Sequence, residues 1–306
     1  MNHFPNRLIC YLDVLGYSHM VREYGIEHMY KKYANFVDLA KSKVFFSRPE
    51  NYDGPIDNFE VAEIVSDSVL LVSHDIRNIT SVNNFIGSIH FFLEIALSSG
   101  FMFRGCVSQG DVIFDKERNI VLSDEFNEMA DFEKKIDAPV CTIFKRASGT
   151  IIEAMFGDSQ RASEVELSKS LPVIRWNTPI KDQEKESFWC INYTYFCGPD
   201  LLEEVVSSLS GDQRKQENFI EYLNYLEALP EEVVRPSGGR ENSEVVKIMK
   251  SRTGMRVAFF SSEGYVIQTS NDMRFPAEFI EPPEQISISV DPETKGLSFT
   301  AKGRWY

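Results

Sequence analysis

The alternation of hydrophobic and polar positions separates strands from helices over the first half of the chain. Residues 7–15 and 59–73 are apolar runs rich in β-branched side chains, which predicts a strand and a hairpin respectively. Between them, residues 16–46 carry apolar side chains at helical spacing, which predicts one long helix or two shorter ones. Residues 79–99 repeat this spacing and precede Gly100, a residue typical of helix C-termini.

The next segment predicts a second set of strands and helices. Residues 101–108 and 111–114 are strand-like, and we expect a turn between them at Gly110. Residues 123–136 predict a helix with Ser123 as its N-cap. A strand over residues 139–144 and a helix over residues 145–156 follow. This order predicts an α/β (α+β) sandwich of the ferredoxin-like kind, with a mixed sheet and helices on one face.

Beyond residue 157 the periodicity weakens. We expect a mixed α/β extension over residues 158–235, followed by a β-rich tail or small subdomain over residues 244–306. The Pro, Gly and Ser content of residues 236–243 predicts an exposed linker between them. Within the extension, the expected elements are strands at 173–176 and 188–193 and helices at 200–210 and 213–229.

Composition narrows the classes of function. The chain has 306 residues, a formal net charge of −14 and 43% hydrophobic residues, which is typical of a globular protein that binds neither nucleic acid nor an anionic membrane. No apolar run reaches the roughly 18 residues of a membrane span, and the N-terminus does not resemble a signal peptide. Five cysteines without CxxC spacing favour buried thiols in a reducing cytoplasm, so we expect a cytoplasmic protein.

Two acids stand inside apolar strand-like runs. Asp13 lies near the end of the first predicted strand, and Asp67 lies at the tip of the predicted hairpin. Burying a carboxylate is costly unless it is paired or binds a metal. Taken singly, Asp67 also fits an ordinary turn and Asp13 a helix-capping acid. If the two strands are neighbours, both acids reach one sheet edge, and a shared Mg²⁺ or Mn²⁺ would relieve their repulsion.

Four segments, in order, resemble the motifs of class III nucleotidyl cyclases. Residues 12–17 (LDVLGY) and 64–68 (IVSDS) are similar to the two metal-binding motifs of that family. Residues 103–110 (FRGCVSQG) and 126–134 (FNEMADFEK) are similar to the strand and helix that follow. Within the family, the resemblance is closest to the bacterial uridylate and cytidylate cyclases of Pycsar antiphage defence. It covers about residues 5–150, so residues 1–157 are expected to form the catalytic domain.

The resemblance implies that the chain converts UTP to 3′,5′-cyclic UMP and pyrophosphate with two divalent metals. Asp13 and Asp67 would hold the metals, with the Val14 carbonyl as a further ligand. The amides of Leu15, Gly16 and Tyr17, at a helix start, would bind phosphate oxygens. Arg104 would neutralise phosphate charge, although a surface cation at a strand start is an equal alternative.

Recognition of the base is expected from three positions. Glu63 occupies the place where purine cyclases of this class have a base-reading side chain, and its carboxylate can accept a hydrogen bond from a pyrimidine. The second base-reading position falls near Asn119 or Ile120, and Tyr52, a lone aromatic in the preceding loop, offers a ring for stacking on the base. For Glu63, an exposed strand residue without a role in binding is the alternative.

The predicted helix at residues 123–136 departs from the family in one respect. Asn127 matches the family's Asn, but Asp131 stands where the family has an Arg that stabilises the transition state. Lys135, one turn further on, could substitute for this cation, or could be one of two helix-end lysines that favour the macrodipole. Class III sites form across a two-fold dimer, so the resemblance implies a homodimer whose product is read by a separate effector protein.

Other functions stay open at this point. CTP is the nearest alternative substrate, and a purine cyclase acting on GTP or ATP is the second, because Glu63 matches the guanine-reading position. The third is an inactive cyclase-like module that binds nucleotide or a partner protein. Asp131 supports this third hypothesis, whereas the two acids Asp13 and Asp67 oppose it.

Overall fold

A computed structural model describes most of the chain. The described residues are 1–47, 56–118, 120–156, 171–194, 197, 199–209, 213–229, 249–250, 256–262, 264–270, 285–290 and 297–302. The expected linker at residues 236–243, and the site candidates Tyr52 and Asn119, lie outside them. No helix in these ranges is long and apolar enough to cross a membrane.

Strands and helices alternate over the first 230 residues, and the residues described beyond them form strands. The strands are β1 (Asn2–Val14), β2 (Phe46–Ser47), β3 (Ile56–Asp57), β4 (Val61–Val65), β5 (Ser68–Val72), β6 (Phe103–Asp115), β7 (Ile120–Leu122), β8 (Cys141–Ile143), β9 (Val173–Thr178), β10 (Glu186–Ile191), β11 (Met249–Lys250), β12 (Arg256–Ser262), β13 (Gly264–Ser270), β14 (Gln285–Val290) and β15 (Leu297–Lys302). The helices are α1 (Tyr17–Tyr24), α2 (Ile26–Ala40), α3 (Ile79–Ser98), α4 (Asp124–Glu133), α5 (Lys145–Phe156), α6 (Pro199–Ser208) and α7 (Gln213–Ala228), and a π-helical turn (Lys41–Phe45) follows α2.

One mixed sheet organises the first 230 residues. Its strand order is β4-β5-β1-β6-β8-β10-β9, with β7 paired to β6 beside this path. β1 runs antiparallel to both β5 and β6, whereas β8 runs parallel to β6. The predicted mixed α+β architecture is therefore confirmed. β9 and β10, which lie in the segment interpreted as an extension, belong to this sheet.

Helices cover both faces of the sheet, so the prediction of helices on one face is wrong. Alternate β1 residues such as Leu8 and Leu12 pack into the larger core, which includes residues of α2, α3, α5 and α7. The intervening residue Ile9 packs on the other side with Met129 of α4. β1 is apolar on both faces because it is buried on both, and continuous apolar runs are typical of such strands.

Glycines explain one difference from the predicted elements and decide between one long helix and two shorter ones. The predicted turn at Gly110 is wrong, because β6 continues through it and pairs Gly110 with Arg7 of β1. A Cβ there would lie 2.7 Å from Cγ of Glu125, so this glycine makes room for a helix side chain. Between α1 and α2, Gly25 has a φ of +78°, a conformation that favours glycine, and the two shorter helices result.

The extension is attached to the sheet through a buried acid. Asp137, between α4 and β8, forms an ion pair with Arg214 of α7 at 2.5 Å. Asn218, one turn further along α7, donates to the Asp137 carbonyl at 2.7 Å and to its Oδ2 at 3.1 Å. Further along the chain, β11–β13 form a three-stranded antiparallel sheet, and β14 pairs antiparallel with β15.

Candidate active site

The end of β1 brings three strands together around Asp13. In the antiparallel register, Asp13 lies opposite Ser68 of β5 on one side and opposite Arg104 of β6 on the other. Opposed residues of neighbouring antiparallel strands project from the same face, which here is the face covered by α4. Gly105 permits this close approach, since a Cβ there would lie 2.0 Å from the Tyr11 carbonyl oxygen.

Asp67 lies beside Asp13 at the hairpin turn. β4 and β5 are joined by Ser66 and Asp67, and Ser66 has a φ of +57°, which a tight hairpin requires. The Asp67 carbonyl accepts a hydrogen bond from the Val14 amide at 2.9 Å. β5 pairs directly with β1, so the condition under which the two acids reach the same sheet edge is met.

The environment of Asp13 disfavours its negative charge. Burial and, next, the charge of Asp67 raise the pKa of the Asp13 carboxyl. The hydroxyl of Ser68 and the positive charge of Arg104 act in the opposite direction. Ser68 donates to Asp13 Oδ1 at 3.2 Å and lies 3.1 Å from the Tyr11 hydroxyl, so a short hydrogen-bonded chain leads away from the acid.

The segment after β1 turns into a helix at Gly16. Gly16 has a φ of +77° and precedes the first residue of α1, Tyr17. The first amides of a helix have no intrahelical acceptor, so the Tyr17 amide can still donate to an anion. Leu15 is different, because its amide donates to the Met102 carbonyl at 2.7 Å. The prediction that the Leu15 amide binds phosphate is therefore wrong in this conformation.

Arg104 is not a free surface cation. Its Nε donates to the carboxylate of Glu133, and its Nη1 donates to the Ile136 carbonyl at 3.1 Å. Glu133 is the last residue of α4, and its side chain is only 3% exposed. Burial and the charge of Asp13 raise the pKa of the Glu133 carboxyl, whereas Arg104 lowers it.

Sequence reasoning missed Glu133, Ser68 and Tyr11 as members of this cluster. A signal was present for two of them. Tyr11 precedes Asp13 by two positions and therefore shares its strand face. Glu133 follows the buried Met129 by four positions, which places it on the buried face of α4. Ser68 could be placed only once β5 was known to pair with β1.

The exposed face of α4 carries the residues that the family resemblance selected. Asn127 and Asp131 are both exposed, and Asp131 lies 3.8 Å from the ammonium group of Lys134. Lys135 lies just beyond α4, which ends at Glu133, in the turn that follows. The role of Lys135 as a substitute cation stays a prediction.

Glu63 lies on the same sheet face as Asp13. It pairs with Leu70 of β5, which in turn pairs with Tyr11 of β1, so a single row crosses the three strands. Glu63 is thus two strands away from Asp13 and two residues further along the sheet. It is partly exposed, which leaves its carboxylate accessible to a ligand bound over this face.

The donor set of this edge is made of oxygen atoms. Among the described residues, no group of three or more His, Cys, Asp and Glu side chains forms a metal-binding cluster. Two carboxylates with carbonyl or substrate oxygens are nevertheless the kind of set that Mg²⁺ takes, since it usually keeps water and phosphate ligands. The raised pKa of Asp13 beside Asp67 fits this, because a divalent cation would remove the repulsion.

Comparison with protein families and with curated proteins finds no match. Among solved structures, similar chains are guanylyl cyclase catalytic domains, and each likeness spans 62% of this chain. The catalytic core of a rhodopsin-guanylyl cyclase with converted specificity, in complex with ATPαS, has 9% identity, a TM-score of 0.40 and 96% of its own length matched. The guanylate cyclase domain of RhGC from Catenaria anguillulae, in complex with GTP, has 12% identity, a TM-score of 0.37 and 98% of its length matched.

A third similar structure is a dimeric guanylyl cyclase domain of the RhoGC fusion protein from the aquatic fungus Blastocladiella emersonii. It has 13% identity, a TM-score of 0.38 and 97% of its length matched. Likenesses at these TM-scores carry no argument about activity. The function is therefore inferred from the residues around Asp13 and Asp67.

Proposed function

We propose that this chain is a nucleotidyl cyclase, with UTP as the first candidate substrate and cyclic UMP as the product. One observation carries the proposal: Asp13 of β1 and Asp67 of the β4–β5 turn lie at one sheet edge, where the Val14 amide donates to the Asp67 carbonyl at 2.9 Å. The helix start at Gly16 and Tyr17 lies directly beside them. Acids next to helix amides suit a metal-bound triphosphate.

In the proposed reaction the 3′-hydroxyl of the nucleotide attacks its own α-phosphorus, and the bond to the β-phosphate oxygen breaks. Divalent cations held by Asp13 and Asp67, with the Val14 carbonyl as a further ligand, would acidify the hydroxyl and neutralise the leaving pyrophosphate. The Tyr17 amide would donate to phosphate oxygens at the start of α1. Arg104, opposite Asp13 in the register, would bind a phosphate oxygen from the neighbouring strand.

The base would lie over the sheet face that carries Glu63. An ionised carboxylate accepts hydrogen bonds, so it suits the N3–H of uracil or the amino group of cytosine. This keeps CTP as the nearest alternative and GTP as a further one. A role as a bacterial second-messenger enzyme in Pycsar defence, with a separate effector for the product, belongs to the same proposal.

The proposed assembly is a homodimer with the active sites at its interface. Asn127 projects from the exposed side of α4 and is accessible to a second copy of the chain. In this arrangement the metal acids come from one subunit and Asn127 comes from the other. A two-fold contact would then give two equivalent sites.

The test is incubation of the purified protein with UTP, CTP, ATP and GTP separately in Mn²⁺, with the products identified by mass spectrometry. We expect a cyclic mononucleotide and pyrophosphate from one pyrimidine substrate, and none from the Asp67→Asn variant. Failure of all four nucleotides to give a cyclic product would refute the cyclase proposal as stated.

A second candidate is a cyclase-like module that binds nucleotide without turning it over. The observation that favours it is Asp131, exposed on α4 and near Lys134 where the family has a catalytic cation. The two candidates separate in one assay. Saturable binding of UTP without any product, at protein concentrations that allow dimer formation, would favour the inactive module.

A further inference from the structure

Two Arg–Glu pairs join α4 to its surroundings, and only one of them touches the proposed site. At the start of α4, Glu125 pairs with Arg146 of α5 and accepts a 2.6 Å hydrogen bond from Ser108. At its end, Glu133 pairs with Arg104. Both glutamate side chains are 3% exposed. Arg104 lies opposite Asp13 in the strand register, whereas Arg146 lies on α5 and pairs with Glu125.

The contacts of Arg104 define the plane of its guanidinium group. Glu133 accepts from Nε and the Ile136 carbonyl accepts from Nη1, so two acceptors from one helix end hold two different nitrogens. A guanidinium is planar, and two such bonds orient it as a rigid fork. Nη2 takes part in neither contact, so it can donate to an acceptor on a bound ligand.

Glu133 cannot readily release Arg104. A carboxylate at 3% exposure that loses its cation is a buried unpaired charge, which is strongly unfavourable. A triphosphate that approaches the site is therefore expected to meet Arg104 while it is still held by Glu133. The pair then orients the guanidinium and does not compete with the ligand for it.

Resting on the proposed function, we propose that Glu133 is a positioning residue that aims Arg104 at the triphosphate bound beside Asp13. Glu133 touches neither substrate nor metal in this role. Its effect on nucleotide binding passes entirely through Arg104. Replacing Glu133 should therefore weaken binding of the triphosphate. In a variant that already lacks Arg104, replacing Glu133 should not weaken binding any further.

The experiment measures the dissociation constant of 3′-deoxy-UTP with Mn²⁺ by calorimetry, since this nucleotide has no 3′-hydroxyl and cannot be cyclised. We expect Arg104→Ala and Glu133→Ala each to weaken binding about tenfold, the loss of one charge-assisted hydrogen bond. The double variant should match Arg104→Ala within about twofold, because residues that act as one unit are not additive. Glu133→Gln, which keeps an acceptor for Nε, should recover most of the binding.

Glu125→Ala is the matched control, because it removes an equally buried glutamate from the same helix and breaks the other Arg pair. It should lower the melting temperature and leave the dissociation constant unchanged. If Glu133→Ala does not fold, Glu133→Gln and Glu133→Asp replace it in the cycle. In turnover, Glu133→Ala should raise KM more than it lowers kcat, since the phosphate contact is already made in the ground state.

The outcomes separate the two proposals. A wild-type protein that binds neither 3′-deoxy-UTP nor any of the four natural triphosphates refutes the proposed function, and the role of Glu133 with it. A wild-type protein that binds, while folded Glu133 variants bind equally well, refutes only the role of Glu133. Additive losses in the double variant also refute it, because Glu133 would then act independently of Arg104.

Discussion

The two ends of α4 differ in how their buried ion pairs are completed. At the first end, Glu125 has a cation in Arg146 and a neutral hydroxyl in Ser108, so its negative charge is balanced within the pair. At the other end, Arg104 stands between Glu133 and Asp13, and two carboxylates share one cation. Burial raises the pKa of both the Asp13 and the Glu133 carboxyls; the charge of Asp67 raises that of Asp13 further, and the charge of Asp13 raises that of Glu133.

The difference separates a structural pair from a cluster that can take a ligand. Charge at the Glu125 end is balanced, so it needs no additional cation. At the Asp13 end, burial and the charge of Asp67 raise the pKa of Asp13 although Arg104 and Lys134 lie near it, and a divalent cation would relieve this repulsion. Such repulsion beside a helix N-terminus supports the proposed metal–triphosphate site more directly than the burial of either acid alone.

The largest expected effect is on turnover at the acidic end. Asp67→Asn should lower cyclase activity by at least about 10²-fold, the size expected when a key electrostatic group is lost from a site. The rate is measured as cyclic nucleotide formed in Mn²⁺. Asp111→Asn is the control, because Asp111 lies on β6 seven residues from Arg104, about 23 Å along the strand. Near-native activity of Asp67→Asn would contradict the assignment of the metal site.

The second effect is on the free energy of unfolding of variants at the two arginines. Arg104→Met leaves the buried Glu133 carboxylate without its cation and should lower this free energy by about 2–4 kcal/mol. Arg146→Met should cost only about 1 kcal/mol, because Arg146 is 65% exposed and Ser108 still donates to Glu125. Urea denaturation of both variants in EDTA measures this difference. Equal losses would show that the two ends of α4 are energetically alike.

A third effect is on the choice of base. Glu63→Gln should change the ratio of kcat/KM for UTP over CTP by about tenfold, since an amide can both donate and accept where a carboxylate only accepts. Its dependence on Mn²⁺ concentration should stay the same, because Glu63 lies two strands from Asp13. An unchanged ranking of UTP, CTP, ATP and GTP would remove Glu63 from the base site.

The smallest effect concerns the stability of the metal-free protein. Since the pKa of Asp13 is raised, its ionisation opposes folding: this cost is absent below the unfolded pKa of about 3.9 and complete above the raised folded pKa. Asp13→Asn should therefore raise the melting temperature at pH 7 in EDTA by about 1–2 °C, and screening keeps the effect small. The advantage should vanish below about pH 4.

Addition of Mn²⁺ provides the check on this last prediction. A cation that binds the folded state stabilises it by mass action, so Mn²⁺ should raise the melting temperature of the wild type. The same addition should leave Asp13→Asn nearly unchanged. A variant that is less stable than the wild type at pH 7 in EDTA would show that Asp13 ionisation does not oppose folding.

Local signals predicted most elements and some of the site. The helix at α3, the hairpin of β4 and β5 with Asp67 at its turn, and the Ser123 cap of α4 all follow the periodicity and turn chemistry of neighbouring residues. Gly110 was misinterpreted, because a glycine that admits a helix side chain looks the same in sequence as one that makes a turn. α4 ends at Glu133 and not at Ile136 for a related reason, since helix ends are weakly encoded.

The sequence by itself determined that two acids would end apolar strands, because that depends only on residues adjacent in the chain. The tertiary structure alone decided that Asp13 lies between Ser68 and Arg104, and that Glu133 closes the group from α4. These partners are separated from Asp13 by 55 residues or more along the chain. Their meeting depends on the order in which β5, β1 and β6 pair, and this order is set by burial across the whole sheet.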